Sequence, residues 1–142
     1  MSAETGLQFV DSNVLVYAHD VTAGARHERA RSLLADLWNS GNGCLSIQTL
    51  QEFHVNVTQK IKQPLDVNTT ARIIKALGQW TIHSPNVDDV LAAIVLQQRH
   101  RVSFWDALIL NSAARLGCRV VWSEDLNPGQ EYDTVRVINP FA

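Results

Sequence analysis

The chain has 142 residues, 46% apolar and 18% charged, with twelve lysines and arginines against fourteen acids for a net charge of −2. This length and composition give one domain, residues 1–142, with a real hydrophobic core, and they exclude a disordered chain or one that grips nucleic acid through a global basic field. No apolar run reaches membrane-spanning length and the opening MSAETG lacks a charged-then-apolar signal pattern, so a cytoplasmic protein with no membrane association is expected.

Leu7, Phe9 and Val10 are apolar and strand-forming, and the run breaks at Asp11, Ser12 and Asn13 before Val14–Ala18 resumes it. Asp11 has two readings. It caps a following helix, or it stands at the carboxyl end of a central parallel strand, where open α/β sheets place their ligands. Asp20–Arg26 is a polar connection, and Arg26–Asn39 reads as an amphipathic helix with Ala30, Leu33, Leu34, Leu37 and Trp38 at helical spacing. Cys44, Leu45 and Ile47 read as a short buried strand, followed by a helix from about Thr49 to Ile61 that ends before Pro64. Another helix covers Asn68–Leu77, with Ile73, Ile74 and Leu77 on one side. Trp80–His83 reads as a strand, Val87–Gln98 and Phe104–Leu116 as helices, and Arg119–Trp122 and Thr134–Ile138 as strands. Cys44 and Cys118 have neither metal-ligand nor redox spacing and suit small core positions. Strands alternating with helices indicate an α/β fold with a mainly parallel sheet, whose strand ends meet at one edge.

Three further acids sit where Asp11 sits, at the ends of apolar segments: Glu52, Asp106 and Asp125. Each has a local explanation. Thr49-x-x-Glu52 and Ser103-x-x-Asp106 have capping-box spacing, and Asp125 fits a surface turn with Asn127, Pro128 and Gly129. If instead the four converge, they repel one another, and a hard divalent cation resolves the repulsion. Oxygen-only ligation favours Mg²⁺ or Mn²⁺ over Zn²⁺.

In order and interval, DSNVLVYA at Asp11–Ala18, TLQEF at Thr49–Phe53, SFWDALI at Ser103–Ile109 and WSEDLNPG at Trp122–Gly129 resemble the motifs of PIN-domain ribonucleases, specifically the VapC-like toxins of bacterial toxin–antitoxin pairs. The resemblance implies a three-layer α/β/α sandwich and a short helix from Asn13. It implies Asp11 and Asp106 as metal ligands, Glu52 as a ligand or water-holding group, and Asp125 as the fourth acid in competition with Glu124. Ser12, Asn13 and Ser123 are candidates to orient the carboxylates. It further implies Mg²⁺ or Mn²⁺, RNA hydrolysis that inhibits translation, a homodimer and a cognate antitoxin protein.

Two basic clusters are candidates to grip RNA phosphates: Arg26 with His27, Arg29 and Arg31, and Arg99 with His100 and Arg101, the second favoured because it leads into the Asp106 motif. Trp105 is the tryptophan placed nearest the expected substrate. The five histidines form no recognisable acid–base pair in the sequence, and no Gly-rich phosphate loop or nucleophile elbow is present. A signalling receiver domain is disfavoured because Asp11 has no acidic neighbour and the last lysine is Lys75. The alternative that stands is a catalytically inactive PIN-like module binding RNA or protein.

Overall fold

A computed structural model of the chain describes residues 4–127 and 129–142. Its apolar strand segments join one six-stranded sheet: β1 (Gln8–Val10), β2 (Gly43–Ser46), β3 (Thr81–His83), β4 (Val120–Trp122), β5 (Glu131–Tyr132) and β6 (Val135–Ile138). The order is β3-β2-β1-β4-β6-β5, parallel except for β5 against β6. Six helices connect them: α1 (Ser12–His19), α2 (Ala25–Ser40), α3 (Ile47–Gln59), α4 (Val67–Leu77), α5 (Val87–His100) and α6 (Phe104–Arg115).

Successive strand side chains point to opposite faces, and the core divides accordingly. Val10, Leu45, Val120 and Trp122 pack with Leu15, Leu33, Phe53 and Leu77, so α1–α4 cover one face. Phe9, Cys44, Val121 and Val137 pack with Ile109, Leu110 and Ala113 of α6 on the other. Ala93, Ala107 and Leu108 fasten α5 to α6. The expected three-layer α/β/α sandwich is the observed one. Cys44 and Cys118 are both buried, sharing a hydrogen bond inside this second core.

The winding positions the site. From β1 the chain moves through β2 to β3 with helices on one face, then returns across the other face to β4 on the opposite side of β1. The crevice at the carboxyl ends of β1 and β4 is therefore a topological switch point, the place where open α/β sheets bind ligands. Asp11 follows β1 and Ser123 follows β4, and Asp11 N–H donates to the Trp122 carbonyl at 3.0 Å.

Several local expectations are corrected. Ile47 opens α3 instead of continuing β2, because Ser46 stops the strand and caps the helix; Ile47 is left exposed. The capping box of α3 is Ser46 with Thr49, not Thr49 with Glu52, so the local explanation for Glu52 falls away. Ser103 does cap α6, accepting from the Asp106 amide. Trp38 is 45% exposed, its ring edge-on to Trp80 rather than in the core. Trp80 also explains Gly43, since its indole lies 2.5 Å from where a Cβ would stand. β5 is absent from the sequence reading because two residues are too few for a period; it doubles back to β6 through Asp133 in the left-handed region (φ 58).

Candidate active site

Asp11 satisfies both of its sequence readings at once. Its extended backbone (φ −73, ψ 158) makes it the N-cap of α1, where Oδ1 accepts from the Ser12 amide at 2.8 Å. Unpaired amides at a helix start favour a negative charge there. Oδ2 meanwhile accepts from the Ser123 hydroxyl at 2.8 Å and from the Asn13 amide at 3.3 Å. The side chain is buried, 6% exposed, and burial pushes its carboxyl up from 3.8 to about 6. The Ser123 and Ser12 hydrogen bonds pull it down, and the charges of Glu52 and Asp125 raise it further.

Asn13 ties α1 to the loop after β4. Its Nδ2 faces Asp11 Oδ2, Ser123 Oγ (3.3 Å) and Asp125 Oδ2 (3.1 Å), while its Oδ1 accepts from the Glu124 amide at 3.2 Å. Ser123 is fully buried and holds the loop from the other side, accepting from the amides of Asp125 at 3.2 Å and Leu126 at 3.4 Å. The Asp125 turn is thus pinned to Asp11 through two shared side chains. Pro128 of that turn lies outside the described residues.

Asp106, in the first turn of α6, is half-buried. Burial raises its carboxyl, the Ser103 hydrogen bond lowers it and the Asp125 charge raises it again. Asp125 therefore acts on both Asp11 and Asp106, and Glu52, half-buried on α3, acts on Asp11. The sequence left Asp125 and Glu124 in competition. In the structure Glu124 is bound by Arg26, with guanidinium nitrogens 2.7 Å from Oε1. Ser12 contributes its backbone amide.

The basic candidates separate. Arg26 lies beside the crevice, paired with Glu124 and placed over the rings of Tyr17 (5.8 Å) and Phe141 (5.7 Å). Arg99 is not brought to the site. It forms a two-pronged pair with Asp133 at 3.0 and 3.1 Å, in the turn before β6 and so at the amino-terminal edge of the sheet. Arg101, exposed, closes α5 in the left-handed region (φ 54). Trp105 is 62% exposed next to Asp106, and its carbonyl accepts from Gln48.

One cluster escaped the sequence reading. His83 Nδ1 lies 2.8 Å from Ser112 Oγ and its Nε2 3.3 Å from Asp89 Oδ2, so one histidine does have an acid partner. Ser112 is 1% exposed, which removes it as a nucleophile. Asn86-x-x-Asp89, a capping box at the start of α5, was the available signal.

The acidic donors present are oxygens at a switch-point crevice, and a positive ion there would offset the burial, and the smaller repulsion, that raise Asp11 and Asp106. Among the described residues no three acid, histidine or cysteine side chains stand close enough to enclose an ion by themselves.

A three-layer α/β/α domain with an acidic crevice at its switch point defines the class. The family model of the PIN domain matches residues 9–130, and the chain belongs to the PIN-domain family. Solved structures that share its fold include three toxin-related ones. One is a toxin–antitoxin complex from Klebsiella pneumoniae, at 20% identity over 94% of this chain and 97% of that one, TM-score 0.68. The second is Mycobacterium tuberculosis VapC20, a sarcin–ricin loop cleaving toxin, at 20% identity over 83% and 89%, TM-score 0.64. The third is DNA-bound VapBC from Salmonella typhimurium, at 16% identity over 94% and 97%, TM-score 0.61. No curated protein matches in sequence. Among the described residues no helix is long and apolar enough to cross a membrane.

Proposed function

We propose that this chain is a Mg²⁺- or Mn²⁺-dependent endoribonuclease, the toxin of a toxin–antitoxin pair that inhibits translation by cutting RNA. The observation behind this reading is Asp11, a buried carboxylate held by Ser12 and Ser123 and pressed by the charges of Glu52 and Asp125. A carboxylate buried without a cationic partner is costly, and a bound divalent ion turns that cost into affinity. Asp11, Asp106 and Asp125 hold the ion in this reading, directly or through its retained waters, with Glu52 as a ligand or the group that orients water. When bound, the ion lowers the pKa of water and neutralises charge on the phosphate. Asn13 and Ser123 fix the carboxylate oxygens, so the site needs little rearrangement as the reaction proceeds. In-line attack by water then breaks the bond to the 3′ oxygen, leaving 5′-phosphate and 3′-hydroxyl ends. The test is incubation of EDTA-stripped protein with structured RNAs, with and without Mg²⁺ or Mn²⁺. Cleavage that requires the ion and is lost in Asp106→Asn supports the reading. Binding without cleavage under every metal leaves a non-catalytic PIN module in its place.

Two protein partners belong to this reading. Two of the solved structures that share this fold are a toxin–antitoxin complex and VapBC, which supports a cognate antitoxin. A homodimer is supported by the aliphatic stripe of α5, where Val87 is 75%, Leu91 56% and Val95 51% exposed beside Val90 and Ile94. With Asp88 in its first turn and Arg101 at its end, α5 is complementary in charge to an antiparallel copy of itself. Leu91→Asp is expected to convert a dimer to a monomer in light scattering; an unchanged mass contradicts α5 as the interface.

A further inference from the structure

A cavity of about 470 Å³ reaches the acids, lined by Asn13 and Asp125 together with Tyr17, Ile61, Lys60 and Lys62. The chain has three lysines, and two of them line this one cavity. Lys60 ends α3, where the helix dipole favours a cation, but that does not account for Lys62 lining the same space. Neither ammonium pairs with a carboxylate among the described residues, whereas the acids sharing the cavity are engaged. Asp20 Oδ1 accepts from the amide and hydroxyl of Thr22, at 3.0 and 2.6 Å. Glu124 is bound by Arg26 and by the Tyr17 hydroxyl. Tyr17 is held at both ends, its ring edge-on to Phe141 at 5.1 Å. The cavity is thus lined by engaged acids, a fixed aromatic wall and two uncommitted ammonium groups.

We infer that this cavity seats the single-stranded RNA flanking the cleaved bond, with Lys60 and Lys62 on its phosphates and Tyr17 against a base. The inference rests on the ribonuclease reading and adds the direction in which the strand leaves the acids, along α1 and the end of α3. Ammonium groups on phosphate hold substrate and transition state alike, so they act on binding more than on the chemical step. Tyrosine faces accept any base by stacking. Lys60 and Lys62 are positioning residues here.

The test measures binding of a fluorescein-labelled single-stranded oligoribonucleotide in EDTA across a KCl series, and cleavage of the same RNA with Mn²⁺. For K60A/K62A the expected results are binding about tenfold weaker, a salt slope shallower by about one to two units, and a raised KM with kcat unchanged. K60R/K62R is expected to restore binding, and K75A, on α4, to leave it at the wild-type level. Wild-type binding, slope and KM in K60A/K62A, with wild-type protein cutting the RNA normally, overturn the inference and leave the ribonuclease reading intact. A wild-type protein that cuts no RNA overturns both.

Discussion

Asp11→Asn is expected to abolish RNA cleavage and, in the absence of metal, to leave the protein folded and more stable than the wild type. The loss of activity should be at least a thousandfold, because the ion stabilises the transition state by several kcal/mol and a decade of rate is about 1.4 kcal/mol. The gain in stability follows from the same burial. The folded carboxyl sits at about 6 and the ordinary value is 3.8, so the folded state holds its proton more tightly than the unfolded state does. Metal-free wild-type stability therefore falls as pH rises from about 4 to 6 and is level above that, by up to about 3 kcal/mol. Asparagine carries no such penalty at pH 7; its Oδ1 can keep the Ser12 amide, while its Nδ2 must donate to Ser123 Oγ and meets the Asn13 Nδ2 as a second donor, so a net gain of about 1 kcal/mol is expected. Denaturant melts in EDTA at pH 7, beside cleavage assays, check both halves. A folded Asp11→Asn protein that cuts at the wild-type rate contradicts the role given to Asp11. Should the variant instead be less stable without metal, the electrostatic account of the crevice fails.

Asp89→Ala is expected to be the most damaging substitution to stability, by about 3–5 kcal/mol, with the melting temperature falling by on the order of 10 °C or more. Asp89 is 2% exposed and bonded on both oxygens. Oδ2 accepts from the Asn86 amide at 2.9 Å and faces His83, while Oδ1 accepts from Asn111 at 3.0 Å and faces Arg115 at 3.3 Å. One carboxylate thus caps α5, fastens it to α6 and reaches the end of β3. Removing it strands buried donors on all three elements. The Asn86 and Asn111 hydrogen bonds and the nearby cations hold its carboxyl below the ordinary range. Its contribution is therefore complete above about pH 4 and is lost as pH falls below that. At a temperature where the variant is folded, its cleavage rate should match the wild type, since Asp89 belongs to α5 and not to the crevice. A variant within 1 kcal/mol of wild type in a urea melt contradicts this assignment.

What could be read from the sequence and what could not follows from the range of the interactions involved. Long amphipathic helices such as α2 and α4 are set by local period, and their bounds agree within one or two residues. Asp11, Glu52, Asp106 and Asp125 stand out as candidates in the sequence because each sits at the end of an apolar segment, and a parallel topology gathers such ends. The offset from Ser123 favours Asp125 over Glu124 in the sequence, and the fold adds what the sequence could not show, an arginine ninety-eight positions away that occupies Glu124. Arg99 misled for the same reason: its nearness to Asp106 in sequence says nothing of Asp133, which a two-residue strand brings under it. Lys60 and Lys62 fall in a polar turn with no period, and only the cavity they line gives them meaning.

The most direct measurement is the position of Mn²⁺ by anomalous scattering from crystals of the wild-type protein soaked in the ion. The account predicts a peak in the crevice between β1 and β4, against the carboxylates of Asp11 and Asp125, and no peak there in Asp11→Asn. Ion bound elsewhere, or a crevice that stays empty at saturating Mn²⁺, contradicts it.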